Sequence, residues 1–128
     1  MTPRPYSEDE PGRDEVDALP GPTVIEFGND WCGHCRAAQP LIGEALAALP
    51  GLRHLKVADG PGRPLGRSFR VKLWPTLVFL ADGVERARVV RPADAAELRE
   101  AVARVAGPGS GRSTQAAAPA APDEGKPR

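Results

Sequence analysis

Thr23-Val24-Ile25-Glu26-Phe27-Gly28-Asn29-Asp30-Trp31-Cys32-Gly33-His34-Cys35-Arg36 carries a short apolar run into a turn and then delivers both cysteines of the chain, separated by Gly33 and His34. The β-branched and apolar residues from Thr23 to Phe27 read as a strand buried within a mixed or parallel sheet. Beyond the turn, Ala38, Leu41, Ile42, Ala45, Leu46 and Leu49 recur on one helical face and Glu44 falls on another, which predicts a helix from Cys32 to about Leu49. Pro40 removes one backbone donor and is expected to kink it, and Pro50-Gly51 ends it.

A Cys-x-x-Cys at a strand-to-helix junction reads as a dithiol redox site. The spacing lets the first sulfur cap the helix while the second lies within disulfide reach. The unpaired N–H groups and the dipole at a helix N-terminus favour a negatively charged sulfur, so Cys32 is the expected nucleophile. It would attack a disulfide in a partner, and Cys35, further in, would resolve the mixed disulfide. Cys35 must first lose its proton, and Glu26 is the candidate acceptor if burial holds its pKa up. The alternatives are a fixed structural disulfide or half of a zinc site for the cysteines, and an outward-facing sheet position for Glu26.

A chain of 128 residues, 41% of them hydrophobic, suits one domain with a real core. Lys plus Arg and Asp plus Glu both number 17, so no overall field draws the protein to nucleic acid or a membrane surface. A monomer is expected. No apolar run reaches bilayer length and the N-terminal residues lack a hydrophobic signal core, so a cytoplasmic location is expected. A lone cysteine pair in that compartment cycles rather than staples.

Residues 1–13 are polar and broken by prolines, and are expected to be loose. Asp14 to Leu19 predicts a short helix docking Val16 and Leu19. His54 to Ala58 predicts a strand parallel to the first, because a whole helix separates them. A short helix is expected near Pro64 to Phe69. Arg63, Arg67, Arg70 and Lys72 form a basic cluster, read as solvated surface or, more sharply, as steering for acidic partners. Thr76 to Leu80, Asp82-Gly83 and Val84 to Val90 spell a hairpin with a type I′ turn. Asp94 caps the last helix with Glu97 at the capping-box position, Leu98, Ala101, Val102 and Val105 form its buried face, and Gly107-Pro108 ends it. The fold class is therefore α/β, a central four-stranded mixed sheet flanked by helices. The domain spans 14–107, and 108–128 is expected to be a disordered tail.

Trp31-Cys32-Gly33-His34-Cys35, Pro40 and Trp74-Pro75-Thr76, in that order over roughly residues 22–106, resemble the thioredoxin family. The resemblance implies a thioredoxin-like fold and a thiol–disulfide oxidoreductase acting on protein disulfides, with no organic cofactor and no metal. It implies an acidic residue where Glu26 stands, a lysine approaching it at Lys56, and a cis proline, Pro75, facing the cysteines. The residue before that proline, here Trp74, offers its backbone to an extended substrate. With Trp31 it would form an aromatic rim. Arg91 falls near a glycine of the family's groove and would charge or narrow the site toward acidic partners. A thioredoxin-type reductase or glutathione is the implied electron donor. Where the family usually has Pro this chain has His34, and Cys-Gly-His-Cys is typical of protein disulfide isomerases. Gly33 and His34 are thus the residues expected to tune the potential. Three readings stay open: a cytosolic reductant, an isomerase or oxidase, and a redox-gated client-binding module without turnover.

Overall fold

In the computed structural model, which describes residues 4–106, the sheet runs in the order β2-β1-β3-β4, where β1 is Pro22–Gly28, β2 Arg53–Ala58, β3 Thr76–Ala81 and β4 Val84–Val90. β1 pairs with β2 in parallel and with β3 antiparallel, and β3 pairs with β4 antiparallel. The mixed sheet is the one expected. Asp82 and Gly83 at the hairpin tip both take positive φ, 50° and 80°, as a type I′ turn requires.

The two-residue period of the strands sorts the core into two layers. Val24, Leu77, Phe79 and Val89 face α2 (Gly33–Leu46) and α4 (Ala95–Val105), meeting Ala38, Ile42, Ala45, Leu98, Ala101, Val102 and Val105. Ile25, Phe27, Val57, Val78 and Leu80 face the other way, onto Val16 of α1 (Arg13–Asp17) and onto Leu65 and Phe69 at α3 (Pro64–Ser68). Each fully buried aromatic or aliphatic side chain contributes roughly 1.5–3 kcal/mol. The redox helix is therefore clamped between the sheet and α4.

Cys32 is the N-cap of α2 and Pro40 lies within it, while the helix stops at Leu46, before the expected Leu49. Asp94 caps α4 through the N–H groups of Ala96 and Glu97. The Glu97 carboxylate reaches back to the N–H of Ala93 rather than to that of Asp94. The expected stop at Gly107-Pro108 and the tail at 108–128 lie outside the described residues.

One expectation is overturned. The N-terminal segment was expected to be loose, yet Tyr6 is buried and Ser7 forms a parallel bridge with Val57. The N–H of Ser7 donates to Lys56 (2.8 Å) and the carbonyl of Ser7 accepts from Ala58 (2.9 Å). β2 is an edge strand, and an edge presents unpaired backbone groups that a passing segment can satisfy. One aromatic side chain and that edge supply what composition did not show.

Gly83 also packs where a Cβ would strike the backbone carbonyl of Asp17. Gly83→Ala is expected to lower unfolding free energy by about 2 kcal/mol through overpacking and left-handed strain. A urea denaturation series will read this as a lower midpoint at unchanged slope.

Candidate active site

β1 ends at Gly28, and the chain turns through Asn29 and Asp30 into the first turn of α2. The Asn29 side chain donates to the Asp59 carbonyl (2.7 Å) and its own carbonyl accepts from Cys32 N–H (3.2 Å), which fixes the turn. Cys32 Sγ then accepts from the N–H of Cys35 at 3.3 Å. Both cysteines are free thiols. Cys32 keeps 8% of its surface exposed and Cys35 none, so only the first sulfur can meet a partner. Gly33 and His34 lie exposed at the start of the helix.

The parity of β1 places Glu26 on the α2 side with Val24 and Gly28, and it is fully buried. An outward-facing position is thereby excluded. Its carboxylate accepts from the Tyr6 hydroxyl, from Gln39 Nε2 (2.9 Å) and from His54 Nε2 (2.8 Å). His54 Nδ1 in turn accepts from the Arg4 guanidinium (3.1 Å), which assigns its proton to Nε2. Lys56 is the register partner of Glu26 but does not bond it. Its ammonium donates instead to the Arg4 carbonyl and to Gln39 Oε1 (2.9 Å), so His54 takes the place expected for the lysine.

The condition attached to Glu26 also needs correction. Burial pushes its pKa up, but the bonds from His54, Tyr6 and Gln39 outweigh burial and hold the carboxyl below its ordinary value of 4.5. Burial, followed by the bond shared with Cys32, pushes the Cys35 thiol up to about 12, against smaller pulls from the Asn29 backbone and the Tyr6 hydroxyl. At rest the proton stays on Cys35 and the charge on Glu26.

The two tryptophans meet at one edge of the site. The Trp74–Pro75 bond is cis. Trp31 is 72% exposed and meets Trp74 edge to face, with ring centroids 5.6 Å apart, and Trp74 packs against the cluster of Tyr6, Cys32, Cys35 and Ala58. Trp74 Nε1 donates to Asp59 (2.9 Å). Arg91 shares a groove with His34, Leu41 and Pro92, and its Nε donates to the Trp74 carbonyl (2.9 Å). Arg63, Arg67, Arg70 and Lys72 line a second groove beside Trp74.

Tyr6, Gln39, His54 and Gly28 were not anticipated in this site. His54 shares a strand face with Lys56, and Gln39 sits four residues after Cys35 on α2, so both carried a periodicity signal. A Cβ on Gly28 would lie 2.6 Å from Cys35 Sγ and 2.9 Å from the Tyr6 ring and hydroxyl, a closeness that required the fold to see.

A helix-capping dithiol with one slightly accessible and one fully buried cysteine, packed against the tryptophan of a cis Trp–Pro bond, defines a protein of the thiol–disulfide exchange class. Comparison narrows this. The thioredoxin family model matches residues 8–104. Thioredoxin H-type 1 of Nicotiana tabacum is 33% identical over 85 residues, covering 66% of this chain and 67% of that protein. Protein disulfide-isomerase A2 of Pongo abelii is 35% identical over 109 residues, which is 80% of this chain and 21% of the relative. The solved structure of reduced thioredoxin 2 from Pseudomonas aeruginosa PAO1 superposes with a TM-score of 0.71 at 62% identity, covering 79% of this chain and 94% of the other. The chain belongs to the thioredoxin family, and it is a thiol–disulfide oxidoreductase.

Because the folded pKa of Glu26 is depressed, its contribution to stability is present above the unfolded value and is lost as pH falls through the lower folded one. Glu26→Gln is expected to cost about 1–3 kcal/mol at pH 7 by leaving buried donors badly paired. Urea unfolding between pH 7 and 3 will show a flatter acid limb in Glu26→Gln than in the parent protein.

Proposed function

We propose that the protein is a monomeric cytoplasmic reductant of protein disulfides, recharged by a thioredoxin-type reductase or by glutathione. The observation that carries the reading is the exposure difference between the two sulfurs. Cys32 attacks a disulfide in the partner and forms a mixed disulfide, releasing one partner sulfur. Cys35 then attacks Cys32, the intramolecular disulfide forms, and the second partner sulfur departs. The dithiol has lost two electrons and the partner disulfide has gained them. The cytoplasmic assignment draws on a cysteine count of two, both in the site, as suits a compartment that does not store structural disulfides.

Clients lie across the Trp31 and Trp74 rim and along Pro75, where extended or unfolded segments find apolar contact. Arg91 in the His34 groove, and the basic groove beside Trp74, favour acidic clients. Glu26 serves the resolving step from beneath the cysteines, through the donors that its carboxylate holds in place. A second reading, isomerase or oxidase, is favoured by one observation: His34 stands exposed in the first turn beside Cys32, where its imidazole offers a donor to the reduced form.

Two outcomes test this. In insulin reduction with a dithiol or reductase supply, the protein is expected to exceed free dithiothreitol, Cys32→Ser to lose that advantage, and Cys35→Ser to accumulate mixed disulfides through Cys32. Client binding that survives Cys32→Ser, with no turnover above dithiothreitol, would instead make the protein a binding module. His34→Pro is expected to lower the reduction potential by on the order of 30 mV in a glutathione equilibrium, and no change or a rise would remove His34 from the tuning role.

A further inference from the structure

Glu26 and Cys35 are not hydrogen-bonded to each other, and the Tyr6 hydroxyl stands between them. On one side it donates to Glu26 Oε2. On the other it faces Cys35: the Tyr6 oxygen and Cys35 Sγ both lie within 3 Å of the point where a Cβ on Gly28 would sit, 2.9 and 2.6 Å respectively. The absence of a side chain at Gly28 is what allows the two to approach. Tyr6 is buried and held from every side. Its N–H donates to Asp30 (3.0 Å), the Lys56 ammonium sits 4.7 Å from its ring centroid, and Gln39 Nε2 donates to its oxygen at 3.3 Å. The charged or titratable groups facing it are therefore Glu26 from β1, Cys35 from α2 and Cys32 at its N-cap, Lys56 from β2 and Asp30 from the turn, with His54 on the far oxygen of Glu26.

We propose that the Tyr6 hydroxyl is a catalytic group of the resolving step, giving its hydrogen bond to Glu26 while Cys35 is a thiol and turning it to Cys35 as the thiolate forms. This deepens the oxidoreductase reading and rests on it. A full transfer of the Cys35 proton to Glu26 runs against the charge state described above, whereas a donor that changes partner needs no proton to rest on the carboxylate. Glu26 keeps its bonds from Gln39 and His54 when Tyr6 turns away. In the balanced step, Cys35 S–H loses its proton and forms the S–S bond to Cys32, the Cys32–partner S–S bond breaks, and the departing partner sulfur ends protonated. The proton gained there equals the one lost from Cys35. Tyr6 begins and ends the step as a neutral phenol. Glu26 is then a positioning residue, aligning Tyr6 until it is needed.

The test separates the two thiolate releases when reduced protein reacts with 5,5′-dithiobis(2-nitrobenzoate) in a stopped-flow instrument. The first release reports attack by Cys32, and the second, independent of reagent concentration, reports resolution by Cys35. Tyr6→Phe is expected to slow the second release by about tenfold or more, as loss of a hydrogen bond to a charged group implies, and to slow it more than the first. Its pH dependence moves to higher pH, which a merely structural defect would not produce. The double variant Tyr6→Phe, Glu26→Gln is expected to be no slower in the second release than Tyr6→Phe alone, because Glu26 acts through Tyr6. Tyr6 is the single tyrosine of the chain, so 3-fluorotyrosine supplied during expression replaces it alone. That more acidic phenol keeps the shape and is expected to move the second release to lower pH, even if Tyr6→Phe fails to fold. An unchanged second release and pH profile, or fully additive slowing in the double variant, would overturn the role of Tyr6 and leave the oxidoreductase reading intact. A parent protein that releases no thiolate would overturn both.

Discussion

The bond from Cys35 N–H to Cys32 Sγ is the contact on which the rest of the molecule depends. It places a sulfur where a serine or aspartate would ordinarily cap a helix, and a sulfur there meets the unpaired N–H groups of the first turn. For the cap to form, β1 must end at the foot of α2, and α2 must be unable to slide. The sheet supplies the first condition and α4 the second. Ile42, Ala45, Leu98 and Val102 are buried together against Val24, Leu77 and Phe79, so a shift of the redox helix would open a cavity.

The second constraint is electrostatic. Placing a carboxylate in the core beneath the cysteines is costly unless donors surround it, and the structure brings three. None of the three donors lies on β1. Tyr6 comes from the N-terminal segment, Gln39 from α2 and His54 from β2, so the charge is stabilised only when all three elements are assembled. This explains why a polar segment with few apolar residues is nevertheless pinned along the sheet edge. Its tyrosine fills the space Gly28 leaves, and its backbone completes β2.

What the sequence disclosed and what it withheld divide along this line. The strands, the hairpin with Asp82 and Gly83, the capping Asp94 and the buried faces of α2 and α4 all follow from periodicity and turn chemistry, and all were legible. The placement of the cysteines was legible too, since spacing and a helix start are local properties. The donors around Glu26 were not, because they are distant in sequence and converge only through strand register. His54 rather than Lys56 reaches Glu26 although Lys56 is its register partner; the ammonium is taken up by Arg4 and Gln39. Tyr6 was hidden by its neighbours: a lone aromatic among prolines and acids carries no period, and its value appears only beside an unfilled strand edge.

The proposed client side obeys a related economy of hydrogen bonds. The N–H of Arg91 donates to the Pro75 carbonyl (3.0 Å) and its guanidinium to the Trp74 carbonyl, so both acceptors of the cis dipeptide are already engaged. The second of these bonds is exposed, and an exposed bond of this kind is worth only about 1 kcal/mol. On the proposed reading, an extended client that pairs with the Trp74 carbonyl shares that acceptor with the guanidinium or displaces it, and a displaced guanidinium needs a new partner. A client carboxylate is such a partner, whereas an apolar or basic segment leaves the displaced cation to water. On that reading Arg91 sets a small threshold on backbone pairing that acidic segments cross at less cost. Trp31 and Trp74 do not discriminate in this way, since an aromatic surface accepts any apolar group. The proposed reading thus gives the rim contact with many clients and gives Arg91 a ranking of them by charge, although the chain as a whole is electrically neutral.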